Sequence, residues 1–142
     1  MLRMKPVRYL FVYGTLMSAF RNAAARAIRA RSRCAGRATT VGRLYRIGRY
    51  PGLVSAAREG ETVKGELYRI AADAAFWKRM DAYEGREYRR VVQPVRLETG
   101  ETIAAWLFRY VRHVSPGRKV AGGDFLSVPH PVLFVPRWSR RS

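Results

Sequence analysis

Two strand-like segments joined by a short turn restrict the folds open to this sequence. Residues 88–97 and 102–111 contain several β-branched and aromatic side chains, and they flank the sequence Glu98-Thr99-Gly100-Glu101. A glycine-containing turn between two such segments is typical of a β-hairpin, whose strands pair antiparallel. We therefore expect an antiparallel sheet to form at least part of the core.

Further strands are predicted from the hydrophobic pattern. Residues 7–13 form a nearly continuous apolar run, which is typical of a buried strand, and residues 39–47 and 62–70 alternate between apolar and polar side chains. Gly65 interrupts the last of these segments, which indicates a bulge or the close approach of another backbone. Residues 48–52 contain two glycines and a proline, so we expect a loop there.

Two helices are predicted, over residues 19–31 and 72–83. The first segment has its apolar side chains on one side and its arginines elsewhere. Asp73 lies where an acid favours the start of the second helix, and Gly85 is placed to cap its end. Because strands outnumber helices, the sequence predicts an α+β fold with a small antiparallel, barrel-like sheet and two main helices.

The chain is long enough for one domain with its own core. It has 142 residues, of which 48% are hydrophobic, and a domain of this size buries roughly two-thirds of its unfolded surface. We expect the domain to span residues 1–126 and residues 127–142 to form a basic, proline-containing tail. The apolar stretch over residues 9–20 is too short to span a bilayer, which takes about 20 apolar residues. We therefore expect a soluble, cytoplasmic protein.

Few residues suit metal or redox chemistry. One cysteine, Cys34, and two histidines, His113 and His130, do not make a zinc-type ligand set. A lone cysteine excludes a disulfide framework and fits a reducing compartment. The motifs of serine hydrolases and of nucleotide-binding glycine loops are absent from the sequence. We expect no metal, no cofactor and a structural or exposed thiol.

The sequence is strongly basic, with 28 Lys and Arg residues against 10 acids, a formal charge of +18 and no acid before Glu59. This charge leaves open a nucleic acid or an anionic substrate as partner. The coding bias of a GC-rich genome would explain an excess of arginine but not the shortage of acids. One interpretation is therefore a basic protein that binds nucleic acid nonspecifically through five arginines assigned to the first helix: Arg21, Arg26, Arg29, Arg31 and Arg33.

The sequence Tyr13-Gly14-Thr15-Leu16 joins the first predicted strand to a turn that leads into the first helix. Backbone N–H groups in such a turn can form an anion-binding concavity, which would suit a substrate carboxylate. The alternative is a glycine that only ends a strand.

The sequence Asp81-Ala82-Tyr83-Glu84-Gly85 places acids in the last turn of the second helix. The negative end of the helix dipole tends to raise the pKa of a carboxyl group there, as burial also would. A carboxylate with a raised pKa suits a general base near neutral pH. The alternative is that both acids are solvated and balance the nearby arginines at positions 86, 89 and 90.

Five motifs follow one another along the chain: LFVYGTL at residues 10–16, YPGLV at Tyr50–Val54, VKGELYRI at residues 63–70, DAYEG at residues 81–85 and AWLFRY at residues 105–110. A late GGDF stands at residues 122–125. In this order and spacing they resemble the gamma-glutamylcyclotransferase superfamily, in particular its short bacterial branch close to gamma-glutamylamine cyclotransferase.

The resemblance implies an enzyme without cofactor or metal that acts on a small γ-glutamyl amine or peptide. The substrate's α-amine would attack its own γ-carbonyl and release 5-oxoproline and an amine. Glu84 is implied as the general acid/base, and Asp81 as support for the helix end. The other implied site residues bind the glutamyl end or line the cavity: Tyr13, Gly14, Thr15, Leu16, Tyr88 and Tyr110.

Three points are left open by the sequence. For Tyr88 and Tyr110, packing in the core is an equal alternative to lining the cavity. A catalytically silent family member that only binds a γ-glutamyl ligand is a further alternative to the enzyme. The sequence does not predict which amine leaves or the oligomeric state.

Overall fold

The protein is described by a computed structural model over residues 7–14, 17, 22–48, 50–71 and 73–127. Within these residues the chain forms two helices and seven strands: β1 (Tyr9–Val12), α1 (Ala23–Arg31), β2 (Ser32–Val41), β3 (Arg43–Ile47), β4 (Tyr50–Val54), β5 (Thr62–Ile70), α2 (Ala74–Glu84), β6 (Tyr88–Leu97) and β7 (Thr102–Tyr110). Three short 3-10 turns follow, at Pro116–Arg118, Ala121–Gly123 and Phe125–Ser127.

The strands form one sheet in the order β1-β5-β2-β6-β7-β4-β3. Strand β1 also pairs with β7, in parallel, through Leu10 and Trp106, and this pairing closes five of the strands into a barrel. The β3–β4 hairpin extends the sheet from β7, where Leu53 pairs in parallel with Arg109. The predicted α+β fold with a barrel-like sheet and two helices is confirmed.

The predicted hairpin is formed by β6 and β7, which pair antiparallel from Tyr88 opposite Tyr110 to Arg96 opposite Thr102. Strand β5 has the predicted bounds. Gly65 within it meets the backbone of β1 so closely that a Cβ atom would overlap the carbonyl oxygen of Val12. Of the two alternatives for this glycine, the close backbone approach is therefore correct.

Two predictions about residues 39–52 are wrong. Residues 39–47 are not one strand, because Gly42 separates β2 from β3 and donates its backbone N–H to the carbonyl of Glu61 at 3.1 Å. The predicted loop at residues 48–52 is instead a tight turn at Gly48, with φ of 61°, followed by β4. Pro51 is part of that strand, opposite Arg46 of β3.

Helix α1 begins at Ala23, where the side chain of Asn22 accepts a hydrogen bond from the N–H of Ala25 at 2.8 Å. The predicted start at residue 19 lies outside the described residues, as does Arg21. Arg33 was assigned to this helix by prediction, but it lies on β2. The helix ends earlier because the chain becomes extended at Ser32.

The predicted signals at both ends of α2 are confirmed. The carboxylate of Asp73 caps the N-terminus by accepting a hydrogen bond from the N–H of Phe76 at 2.8 Å. Gly85 ends the helix with φ of 83°, and its N–H donates to the carbonyl of Asp81 at 2.9 Å. Glu84 is consequently the last helical residue.

The core fills the barrel and the space between the sheet and α2. Phe76 and Met80 anchor the helix to a cluster that includes Phe11, Leu67 and Leu107, all at most 5% exposed. In the part of the chain that the structure describes, no helix is long and apolar enough to cross a membrane. Residues 128–142 fall outside it, so the boundary between domain and tail stays a prediction.

Candidate active site

Tyr13 follows β1 directly and ties three strands together. Its buried hydroxyl donates to the carbonyl of Phe108 on β7 at 2.5 Å and accepts a hydrogen bond from the N–H of Leu53 on β4 at 3.2 Å. Burial raises the pKa of Tyr13 above its ordinary value, and the charge of Glu84 raises it further. The phenol therefore stays protonated and keeps both hydrogen bonds.

Gly14 lies against Pro51. A Cβ atom on Gly14 would overlap the proline ring, so this contact requires a residue without a side chain. The carbonyl of Gly14 accepts a hydrogen bond from the N–H of Met17 at 3.0 Å. The two residues between them, Thr15 and Leu16, were predicted to bind substrate and lie outside the described residues.

The same strand β4 supports the two tyrosines of the β6–β7 hairpin. The hydroxyl of Tyr88 donates to the carbonyl of Pro51 at 2.6 Å. Its ring meets the ring of Tyr110 edge to face, with centroids 5.3 Å apart, and Gly52 lies so close to Tyr110 that a Cβ atom would be 2.9 Å from the tyrosine Cβ. Tyr110 thus packs against Gly52 and Tyr88, and Tyr88 also borders open space.

Glu84 stands at the end of α2, beside these tyrosines. The residue keeps partial exposure, but burial raises the pKa of its carboxyl to about 8. Its negative charge contributes to the raised pKa of both Tyr13 and Tyr88, so the three groups share one region of low polarity. Among the described residues, no basic group opposes the shift at Glu84.

Asp81 occupies a different environment, one turn earlier on α2. It is exposed, and its carboxylate lies 3.4 Å from the Nε atom of Arg90. The guanidinium of Arg90 also lies over two indole rings, 4.1 Å from the centroid of Trp77 and 4.9 Å from that of Trp106. This arrangement fastens the end of α2 to β6 and β7.

A shallow depression of about 460 Å³ opens beside the end of α2. Acidic, basic and aromatic side chains line it together: Asp81, Gly85, Tyr88, Arg89, Arg90, Trp106 and Phe108. It provides space beside Gly85, the residue that follows Glu84, for a ligand that carries both polar and apolar groups.

The structure brings together five of the residues singled out from the sequence: Tyr13, Gly14, Glu84, Tyr88 and Tyr110. The sequence did not indicate the backbone groups of Pro51, Leu53 and Phe108, which hold the tyrosine hydroxyls. A main-chain carbonyl or N–H leaves no trace in a sequence. The YPGLV motif was the available signal, because it contains two of these groups.

Cys34 is a free thiol on the exposed side of β2. Within the described ranges, no three His, Cys, Asp or Glu side chains come close enough together to hold a metal ion.

A closed, barrel-like sheet of five strands with two helices matches the gamma-glutamylcyclotransferase fold. Residues 10–127 match the family described as Gamma-glutamyl cyclotransferase, AIG2-like. The chain belongs to this family. No curated protein sequence matches it significantly.

Solved structures agree with this assignment. The protein ytfP from Escherichia coli is 31% identical, with a TM-score of 0.59 over 84% of this chain and 96% of that one. An AIG2-like protein from Mus musculus is 22% identical, with a TM-score of 0.60 over 89% and 87%. YkqA from Bacillus subtilis is 24% identical, with a TM-score of 0.64; the match covers 83% of this chain but 39% of YkqA. The last two likenesses establish a shared fold.

Proposed function

We propose that the protein is a gamma-glutamyl cyclotransferase-type enzyme that releases 5-oxoproline and an amine from a small γ-glutamyl compound. The observation that carries this proposal is the buried carboxyl of Glu84, whose pKa of about 8 is raised by burial at a site shared with Tyr13 and Tyr88. Such a carboxyl suits proton transfer near neutral pH. The family assignment supports the same reaction class.

Glu84 would act as general acid/base. A free α-amine has a pKa of about 7.7–8.0, which is close to that of Glu84, so a proton can pass between the two groups in either direction at little cost. The deprotonated amine nitrogen attacks the γ-carbonyl carbon, and the bond to the leaving nitrogen breaks. Glu84 returns the proton to that nitrogen, then takes the second proton that the new ring nitrogen must lose and passes it to the released amine, which leaves as an ammonium ion. Neither water nor a protein nucleophile is consumed.

The segment after β1 would hold the glutamyl end of the substrate. Gly14 fixes its start against Pro51, and we propose that backbone N–H groups at Thr15 and Leu16 bind the α-carboxylate or the developing oxyanion. Tyr13 and Tyr88 would form part of the wall of the substrate site. Their rings are held in place because each hydroxyl donates a hydrogen bond to a backbone carbonyl. Holding the amine close to the carbonyl supplies much of the rate acceleration in an intramolecular attack.

The leaving amine would lie in the depression beside Gly85 and Tyr88. Both an amino acid and an alkylamine are compatible with its mixed lining. The free thiol of Cys34 supports a reducing, cytoplasmic setting for the enzyme.

The test is 5-oxoproline release from γ-glutamyl dipeptides, γ-glutamyl alkylamines and γ-glutamyl-ε-lysine, by the wild type, Glu84→Gln and Glu98→Gln. Glu98 is an exposed acid in the β6–β7 turn, at the opposite end of β6 from Tyr88, so it is a matched control. We expect Glu84→Gln to abolish release and Glu98→Gln to keep it. Normal activity of Glu84→Gln would overturn the role of Glu84.

The alternative is a silent family member that binds a γ-glutamyl ligand without converting it. In that case the folded wild type would release no 5-oxoproline from any compound of the panel, while the same compounds would raise its melting temperature. This pair of results would overturn the proposed enzymatic activity but would still support binding of γ-glutamyl compounds.

A further inference from the structure

Four arginines meet at the end of the barrel where β1 and β2 begin and β5 ends. Arg31 ends α1, Arg33 lies on β2, Arg69 lies on β5 and Arg8 precedes β1; all four are exposed. Backbone bonds fix this arrangement, since the N–H of Ile70 donates to the carbonyl of Arg8 at 2.8 Å and that of Ala71 to the carbonyl of Arg31 at 3.1 Å. These four residues are called the arginine rim below.

Two of the rim arginines face each other directly. Arg33 and Arg69 are register partners in the antiparallel pairing of β2 with β5, which places their Cβ atoms about 5 Å apart. Like charges in directly opposed positions destabilise a sheet. Neither side chain makes an ion pair with any residue in the described part of the chain, so nothing there offsets the repulsion.

Acids near the rim are few. Asp73 is adjacent and pairs with Arg31 at 3.2 Å. Glu66 lies three residues before Arg69 on β5 and accepts a hydrogen bond from the hydroxyl of Tyr68 at 3.1 Å. Glu98 and Glu101 lie in the β6–β7 turn, beyond β2 in the strand order. Arg8, Arg33 and Arg69 are therefore left as an uncompensated cationic surface.

The rim is separate from the candidate active site. Strand β1 runs from Tyr9 to Val12, with Arg8 before it and Tyr13 after it, so the two surfaces lie at opposite ends of that strand. Helix α2 likewise runs from Asp73 at the rim to Glu84 at the site. The arginine rim has no role in the proposed reaction.

We propose that the arginine rim binds the phosphate backbone of nucleic acid without base specificity. Guanidinium forks match phosphate oxygens in pairs, and a polyanion would relieve the repulsion between Arg33 and Arg69. The aromatic neighbour, Tyr9, packs against the core, so the rim offers no exposed ring for stacking on bases. The large exposed apolar side chains of the described residues, Val41, Val92, Val111 and Leu126, are not rim residues, which disfavours insertion into a lipid surface.

The test compares two double variants that each remove two positive charges. Arg33→Gln with Arg69→Gln alters the rim; Arg46→Gln with Arg118→Gln alters exposed arginines on β3 and in the first 3-10 turn. Binding to a fluorescent 20-base-pair DNA duplex is measured at several salt concentrations. Each phosphate neutralised on B-DNA contributes about 0.9 to the slope of log K against log salt, so we expect the rim variant to lose about 1.8 from the slope and at least about tenfold in affinity at 0.1 M salt.

The control variant should keep the wild-type slope, and duplexes of unrelated sequence should bind equally well. Equal losses in the two variants would show binding by net charge alone and would overturn the proposal. So would binding of phosphatidylserine vesicles that exceeds DNA binding and depends on the same two arginines. A fold defect is separable, because removing opposed like charges should leave the melting temperature of the rim variant at or above that of the wild type.

Discussion

Gly14 packs against Pro51 so closely that only a residue without a side chain fits between β1 and β4. The two residues belong to segments 37 positions apart, and β4 is not a member of the closed barrel. Their contact therefore fixes where the β3–β4 hairpin stands relative to the start of the proposed substrate-binding segment. Tyr13 and Tyr88 reinforce the same junction through hydrogen bonds to Leu53 and Pro51.

Replacing Gly14 with alanine should disturb this junction. The added methyl group would force Pro51 away, and overpacking of this kind costs about 1–3 kcal/mol. We expect a lower free energy of unfolding in denaturant titration and a loss of 5-oxoproline release. The control is Gly117→Ala, since a Cβ atom there meets nothing within 4 Å; equal effects of the two substitutions would contradict the prediction.

Replacing Tyr13 with phenylalanine should destabilise the fold. The variant leaves the carbonyl of Phe108 and the N–H of Leu53 without their partner, and buried unsatisfied groups cost about 1–3 kcal/mol. Tyr110→Phe is the matched control, because the hydroxyl of Tyr110 has no hydrogen-bond partner among the described residues. If chemical denaturation shows the two variants to be equally stable, Tyr13 does not tie the strands as described.

Replacing Arg90 with lysine should loosen the end of α2 while keeping the charge. Lysine has no planar group to lie over the two indoles, and we expect a loss of about 1 kcal/mol in the free energy of unfolding. The environment of Trp77 and Trp106 should change with it, visible as a shift in tryptophan fluorescence. Arg96→Lys, on the exposed side of the same strand, should change neither quantity.

Replacing Glu84 with glutamine should remove a pH dependence from stability. The pKa of Glu84 is about 8 in the folded protein against 4.5 when unperturbed, so between these values the folded chain holds a proton that the unfolded chain releases. The wild type therefore loses stability as pH rises through this window, by up to about 1.4 kcal/mol per pH unit. Below pH 4.5 and above pH 8 this contribution is constant.

The measurement is the free energy of unfolding of wild type and Glu84→Gln from pH 4 to pH 9. The variant's advantage should grow across the window and level off above pH 8, whereas Glu98→Gln should show no such growth. A difference that is constant with pH would mean that the carboxyl of Glu84 is not buried as described.

Local sequence patterns predicted the elements that have one buried and one exposed face. Strand β5 alternates from buried Val63 to buried Ile70 with exposed Lys64 and Arg69 between, and its predicted bounds were correct. The first half of β2, from Ser32 to Arg37, has no buried residue. This half of the strand therefore shows no alternation of apolar and polar residues. For this reason the predicted strand began at residue 39, seven residues after the observed start at Ser32.

Strand β4 was missed for a different reason. Proline and glycine usually mark loops, but here the ring of Pro51 packs against Gly14, and the Pro51 carbonyl accepts a hydrogen bond from the hydroxyl of Tyr88. Gly52, which has no side chain, leaves space for Tyr110. These requirements come from distant segments, so no local window contains them. Local patterns singled out residues 13–16 and 81–85, but the roles of these residues, and both Tyr88 and Tyr110, came from the resemblance to the family. The burial that raises the pKa of Glu84 is supplied only by the tertiary structure.

Strand β1 pairs with β5 on one side over four residues and with β7 on the other through Leu10 and Trp106. Strand β1 therefore both closes the barrel and leads directly into Tyr13. A molecule in which β1 has not paired with both strands lacks the support for Tyr13, so we expect activity to return during refolding only after the barrel has closed. The recovery of enzymatic activity during refolding would therefore report the closure of the barrel.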